Sequence, residues 1–311
     1  MIISASRRTD IPTYYSDWFF NRIKDRFLLV RNPMNIHQVS RIDLSPEVID
    51  CIVFWSKNPK PMLERLDELK NYKYYFQFSL NSYGKDVEQN VPSKNDEVID
   101  TFRRLSDKIG AEKVIWRYDP ILINPIYTID YHIAYFEKLA QHLKDYTQKC
   151  TISFIDFYSK IKKNIEQLDI VSLTYNEKEA LAGKLFEIAS GYGLKLDTCA
   201  EGIELSHLGI GHAKCVDDEL ISKIIGCPLK ADKDKNQRPE CGCVSSVDIG
   251  MYNTCLNGCK YCYANHSSKV VNKHSEKYAP DSPLLCSTLG PEDIISHREA
   301  KSVAKKQLDL I

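Results

Sequence analysis

An eight-stranded (β/α) barrel of the TIM type is the fold this sequence predicts, on three observations. Short β-rich runs alternate with amphipathic helical patterns from the first residue to about residue 250. Several runs (CIVFW, VIW, TISFI) are continuously apolar, as expected of parallel strands covered on both faces. The chain has 311 residues, enough for one large core that buries roughly 75% of the unfolded surface.

Taken in order, strands are predicted at 2–6, 27–31, 51–56, 74–80, 113–117, 151–156, 195–199 and 244–249. Between them, Ile129, Ile133, Phe136, Ala140 and Leu143 recur at helical spacing behind Thr128, a predicted N-cap. Segments 61–69, 96–109 and 176–191 read as helices too, with Gly110 and Gly193 as C-terminal stops. The alternation HQVSRIDL within 35–44 predicts an inserted hairpin, and the run 230–239 a solvated loop. Repetition of strand and helix favours a barrel over an open sheet. The predicted division is a barrel over 1–265, with a cysteine loop at 255–262, and an irregular extension over 266–311 with a short polar helix near 291–308.

Composition narrows the function. Forty-two basic residues balance 42 acidic ones, so bulk electrostatic binding to nucleic acid or acidic lipid is not expected. Charged residues at 27% and apolar residues at 43% exclude a disordered or fibrous chain. No apolar run approaches the ~20 residues of a membrane span, and MIISASRRTD lacks the charge-first order of a secretory signal. A cytoplasmic location is predicted. In that reducing compartment 11 cysteines point to metal rather than to disulfides, and most of them fall between Cys199 and Cys262.

Cys255, Cys259 and Cys262 form a C-x3-C-x2-C loop after the last predicted strand, and Gly258 allows it a tight turn. Three close thiolates suit a soft metal centre. A zinc ion wants a fourth protein ligand, whereas an iron–sulfur cube held by three cysteines keeps one iron open. The spacing, with Tyr261 before the final cysteine, resembles the radical S-adenosylmethionine (radical SAM) superfamily. That resemblance implies a [4Fe–4S] cluster on these cysteines, SAM chelating the open iron, and reductive cleavage to a 5′-deoxyadenosyl radical that abstracts hydrogen from a substrate. It also implies an electron donor such as a flavodoxin or ferredoxin.

Taken together, SASRRTDIP, VFWSKNP, WRYDPIL, RPECGC and YNTCLNGCKYCYAN resemble an uncharacterised bacterial family of unknown function, whose C-terminal cysteines have been likened to the radical SAM cluster motif. Radical SAM enzymes ordinarily carry this loop after the first strand. The expectation that reconciles the two is a circularly permuted barrel whose cysteine strand closes beside strand one. No Gly-Gly-Glu motif is present, and residues 6–10 offer Arg7, Arg8 and Asp10 in its place.

Cys199, Cys215, Cys241 and Cys243 would converge at one rim as a second iron–sulfur cluster or a zinc site. The alternative is four small buried hydrophobes. His207 and His212 flank Cys215 as further candidate ligands, and Tyr263 and Asn265, with Tyr261, as residues against the cofactor. His132 and His142 are expected to face solvent, and Cys51 and Cys150 to pack in the core.

Functional residues of such barrels sit at the C-terminal ends of strands. Those positions hold Arg7, Arg8 and Asp10, then Asn32, Ser56, Lys57, Asn58, Asn81, Arg117, Asp119, Asp156 and Glu201. Arg7, Arg8 and Arg117 suit a carboxylate or phosphate, Lys57 a point charge or proton donor, while Asp119-Pro120 and Asn58-Pro59 are equally good turns. Two other readings stand beside the radical enzyme. One is a metal-stabilised binding module, with zinc or an inert cluster and a small basic mouth for phosphate. The other is a nucleic-acid repair lyase resembling the spore photoproduct lyases.

Overall fold

The computed structural model describes residues 1–305. Eleven strands form among them: β1 (Ile2–Ala5), β2 (Phe27–Arg31), β3 (Gln38–Asp43), β4 (Cys51–Ser56), β5 (Tyr74–Ser79), β6 (Val114–Ile121), β7 (Lys149–Phe154), β8 (Lys195–Thr198), β9 (Gly211–His212), β10 (Val247–Asp248) and β11 (Ile294–His297). Eight make one all-parallel sheet in the order β10-β1-β4-β5-β6-β7-β8-β9.

The barrel expectation is overturned here, and with it the circular permutation. The sheet is open: β9 and β10 are its edges and do not pair with each other among the described residues. Both edges are only two residues long. The chain leaving β9 turns into helix Asp218–Ile225, and Val244, expected to begin the last strand, instead bridges Lys233 antiparallel while its N–H donates to Val216 O at 3.1 Å. Irregular backbone therefore stands where a barrel would need a continuous ladder.

A second correction concerns the run 27–31, expected as barrel strand two. It pairs antiparallel with β3, which pairs parallel with β11, in a separate three-stranded sheet. The HQVSRIDL alternation is thus one half of a hairpin whose other half is β2, with Arg41 lying over the Phe27 ring at 4.1 Å. β11 also falls where a polar helix was expected near 291–308; residues 306–308 lie outside the described residues.

Alternation along the strands gives the large sheet two apolar faces. Ile3, Ala5, Phe54, Phe76, Phe78, Trp116, Ile152 and Leu196 share one core with the buried sides of helices Ser16–Asp25, Ile99–Ile109, Ile129–Leu143 and Tyr175–Gly191. Ile2, Cys51, Val53, Tyr75 and Ile115 face a smaller core with Val216, Ile221, Cys215, Cys241 and Cys243. Thr128 and Thr174 cap their helices, the latter in a capping box with Glu177, and Gly110 ends its helix at φ +98°. Helix Ile129–Leu143 corrects the histidine expectation. His132 lies in the core, its Nδ1 2.7 Å from Tyr118 OH and its Nε2 2.9 Å from Leu122 O, so both ring nitrogens are satisfied without water.

Residues after the cysteine loop pack back on the start of the chain. Trp18 Nε1 donates to Ser282 O at 2.8 Å, and Arg31 meets both carboxylate oxygens of Asp293 at 2.6 and 2.8 Å. Leu29 N donates to Pro283 O, and Ser302 and Val303 both donate to Asp50.

Candidate functional site

Parallel strands bring their C-terminal ends to one edge of the sheet, and the cysteine loop lies across the β10, β1 and β4 side of that edge. β10 pairs with β1, and its Asp248 accepts from Ser4 Oγ, Ser6 Oγ and Arg7 N at 3.0, 2.6 and 2.8 Å. Gly250 fits because any Cβ there would stand 2.1 Å from Ser6 Oγ. From this anchor the chain enters the loop. Gly258 takes φ +66°, the left-handed region. Loop carbonyls are met from outside: Tyr15 OH donates to Thr254 O at 2.5 Å, Asn90 Nδ2 to Leu256 O at 2.7 Å and Asn265 Nδ2 to Cys255 O at 2.5 Å.

Cys255 and Cys259 are buried and Cys262 half-buried. Asp10 ties the loop to the sheet, one oxygen accepting from Lys57 N at 2.8 Å and from Asn257 Nδ2 at 3.0 Å. Asn257 accepts from Tyr14 OH at 3.0 Å, and its Nδ2 lies 3.4 Å from Cys255 Sγ. Burial lifts all three thiols above their ordinary range, Cys255 to about 12, and the Lys57 ammonium works in the other direction on Cys259 and Cys262.

Behind the loop is a buried ionic group. Lys57 Nζ lies 2.7 Å from Glu88 Oε1, and Lys94 Nζ 2.9 Å from Glu88 Oε2. Tyr261 OH donates to Glu88, and its ring lies 5.5 Å from Lys57 Nζ. Burial opposes ionisation of Glu88, but Lys57 and Lys94 outweigh it and hold the carboxyl at about 2; burial also opposes the charge on Lys57, which Glu88 and Cys259 restore. Asn81 links Tyr261 OH to Asp119 O, and Asp119 pairs with Arg117 and accepts from Ser153 Oγ.

Most predicted rim residues therefore meet, in two groups. Asp10, Lys57, Tyr261 and Asn265 surround the triad. Arg7 and Arg117 both lie over Trp55, at 5.3 Å, and Arg117 reaches Cys215 Sγ of the other cysteine set at 2.7 Å. Arg8 lies between Asp248 (3.7 Å) and the Tyr252 ring (5.1 Å). Tyr263, exposed, donates to Arg7 O and packs against Tyr158. Glu201 accepts from Phe154 N at 2.8 Å, and burial raises its pKa. His207 and His212 turn to Glu179 and Glu204 at 2.6 and 3.4 Å rather than to any cysteine. Sequence reasoning missed Glu88 and Asn257, which sit in loops without period, and Lys94, which opens the helical turn Lys94–Val98; a carboxylate after a strand end was the one available signal for Glu88.

Cys199, Cys215, Cys241 and Cys243 also come together, Cys199 Sγ standing 3.2 Å from Cys215 Sγ. Among the described residues no three His, Cys, Asp or Glu side chains surround one position for a metal ion. The triad suits a cluster in its donor chemistry, three soft and largely buried sulfurs on one loop, and each cysteine of a cluster binds a different iron rather than a shared point.

Residues 2–264 match the model of a family described as a domain of unknown function, DUF1848. The chain belongs to that family. The description of DUF1848 names no activity, and no curated protein matches the chain. Among solved structures, this DUF1848 chain is similar at 12% identity to a chain from Bacteroides thetaiotaomicron VPI-5482 proposed to be an alpha-L-fucosidase. The match covers 75% of this chain and 85% of that one with a TM-score of 0.26, too low to carry an argument. No described helix is long and apolar enough to cross a membrane.

Proposed function

We propose that this protein is an iron–sulfur enzyme of radical SAM type, with Cys255, Cys259 and Cys262 holding a [4Fe–4S] cluster. The observation that carries the reading is the C-x3-C-x2-C loop itself, seated at the C-terminal edge of a parallel sheet among fixed polar groups. When bound, the cluster would supply the electron for one-electron chemistry on SAM. The chain's own residues have separate tasks. Asp10 and Asn257 orient the loop, and Tyr261 with the apolar residues around it keeps water from the sulfurs. Lys57 stays charged beside Cys259 because Glu88 holds it so, which favours thiolate there. Arg8, half-buried and only loosely paired with Asp248, is the guanidinium suited to a carboxylate such as that of SAM.

The test is anaerobic purification, iron and sulfide analysis, and electron paramagnetic resonance of the reduced protein with and without SAM. Iron and sulfide at about four each per chain, with a signal that changes on adding SAM, is the expected result. Cys259→Ala should remove that signal and leave the far-ultraviolet circular dichroism intact. A triad without sulfide, or a cluster whose signal ignores SAM, would overturn the reading.

A further inference from the structure

The second cysteine set lies where the open sheet ends. Cys199 directly follows β8, Cys215 follows β9, and Cys241-Gly242-Cys243 lies on the irregular segment that runs to β10. Four positions spread between residues 199 and 243 come together in one cluster. Cys199 and Cys215 sulfurs are 3.2 Å apart, and Cys215, Cys241 and Cys243 lie in one buried cluster against which Cys199 packs. Three of the four are buried.

The backbone around them is held from several sides. Tyr75 OH and Gln77 Nε2 both donate to Cys215 O, at 2.7 and 2.8 Å. Asp234 N donates to Cys243 O at 2.9 Å, Cys199 N to Ile152 O at 2.8 Å, and Val216 N to Cys243 Sγ at 3.3 Å. Four small hydrophobes would not need this scaffold, nor the two cations beside them. Arg117 directs Nη2 at Asp119 and Nη1 at Cys215 Sγ, 2.7 Å away. Arg7 has one nitrogen 3.6 Å from Asp234, while its Nη2 is buried without a hydrogen-bond partner. One guanidinium bonded to a thiol, and a second nearby with a buried unpartnered nitrogen, suit a site of excess negative charge.

We propose that Cys199, Cys215, Cys241 and Cys243 form a tetrathiolate zinc centre, with Arg7 and Arg117 offsetting the charge of four thiolates on one divalent ion. Spacing favours a single ion over a multi-iron cluster. Around zinc, with Zn–S of about 2.3 Å, neighbouring sulfurs stand about 3.8 Å apart, a spacing nearer to the 3.2 Å between Cys199 and Cys215 than that of a cluster, which spreads its cysteines over separate irons. The 3.2 Å contact leaves no room for an ion as it stands, so binding requires a side-chain rotation, and the half-buried Cys199 is the one with space to make it. On binding, thiol protons leave to solvent and no electrons are exchanged. Such an ion would join β8, β9 and the segment before β10, clasping the two sheet edges that do not pair.

Zinc and iron are measured in the full chain purified anaerobically, together with the zinc K-edge X-ray absorption spectrum. About one zinc per chain, coordinated by four sulfurs at about 2.3 Å, is expected in the wild type and in Cys259→Ser. Cys243→Ser should lose it by at least tenfold. Should Cys243→Ser fail to fold, the spectrum of the wild type decides alone. Zinc far below one per chain, nitrogen or oxygen in its first coordination sphere, iron and sulfide retained in Cys259→Ser, or a Cys199–Cys215 disulfide found by mass spectrometry would each overturn the proposal. The inference does not rest on the radical SAM reading: Cys259→Ser reports on that centre and Cys243→Ser on this one.

Discussion

Replacing Glu88 by Gln removes one negative charge from between two buried ammonium groups. Glu88 is 1% exposed, and its carboxylate oxygens lie 2.7 Å from Lys57 Nζ and 2.9 Å from Lys94 Nζ. At an effective dielectric of about 20, each contact is worth about 6 kcal/mol of gross Coulomb energy. Part of that is offset by desolvation, and breaking such a buried pair costs about 3–5 kcal/mol net, because the partner charges stay buried without compensation. With an unfolding entropy of about 2.1 cal/mol/K per residue, the melting temperature of a chain this size should fall by about 5–8 °C. Urea unfolding of Glu88→Gln against wild type, followed by circular dichroism at pH 7, measures the loss directly. The triple variant Lys57→Met, Glu88→Leu, Lys94→Met removes all three charges and should recover at least half of it. A loss below about 1 kcal/mol for Glu88→Gln would refute the reasoning, since it would mean the group is solvated or carries no charge.

Two further outcomes follow from other parts of the fold. Burial lowers the His132 pKa to about 4, so the fold favours neutral imidazole; the stability this contributes is complete above about 6.5 and is lost as pH falls toward 4, a span of roughly 3 kcal/mol. Urea midpoints at pH 7 and pH 4.5 should therefore converge in His132→Gln and differ in wild type; equal pH dependence in both would remove His132 as the cause. Gly250→Ala should destabilise by about 1–3 kcal/mol, because the new Cβ would meet Ser6 Oγ at 2.1 Å, while Gly202→Ala, with nothing within 4 Å, serves as the near-neutral control. Thermal melts of the two variants side by side check this, and equal shifts would count against the close approach.

Strand by strand, the parallel core was legible because buried strands must be apolar and helices between them must repeat at 3.6 residues. Closure was not, since it turns on whether two-residue edges such as Gly211–His212 and Val247–Asp248 find each other, and apolar content says nothing of that. Sheet membership was illegible for a related reason: Phe27–Arg31 has the composition of a core strand, and only its partner β3 assigns it elsewhere. His132 looked like a surface residue because its neighbours on the helix are mixed, and the groups that satisfy it are the Tyr118 hydroxyl and the Leu122 carbonyl, which accepts from Nε2. Cysteine spacing exposed the triad at once. Glu88 and Lys94 lacked any such signature, because an ion pair between a loop and the first residue of a helical turn leaves no period in the chain.

The return of residues 266–305 onto the first 60 has a consequence for biosynthesis. β1 is flanked on one side by β10, and Asp50, Leu29 and Trp18 take partners beyond residue 280. A ribosome adding about 5–20 residues per second delivers β4 to β7 first, and leaves the edge of β1 bare until Val247 and Asp248 have emerged. The cysteine loop, spliced between β10 and that returning segment, is consequently seated later than β4 to β7, and its thiols stay uncovered until residues beyond 280 have been made. Removing residues 266–305 would therefore strip cover from Trp18, Leu29 and Asp50, so a chain stopped at 265 should behave as a folding lesion.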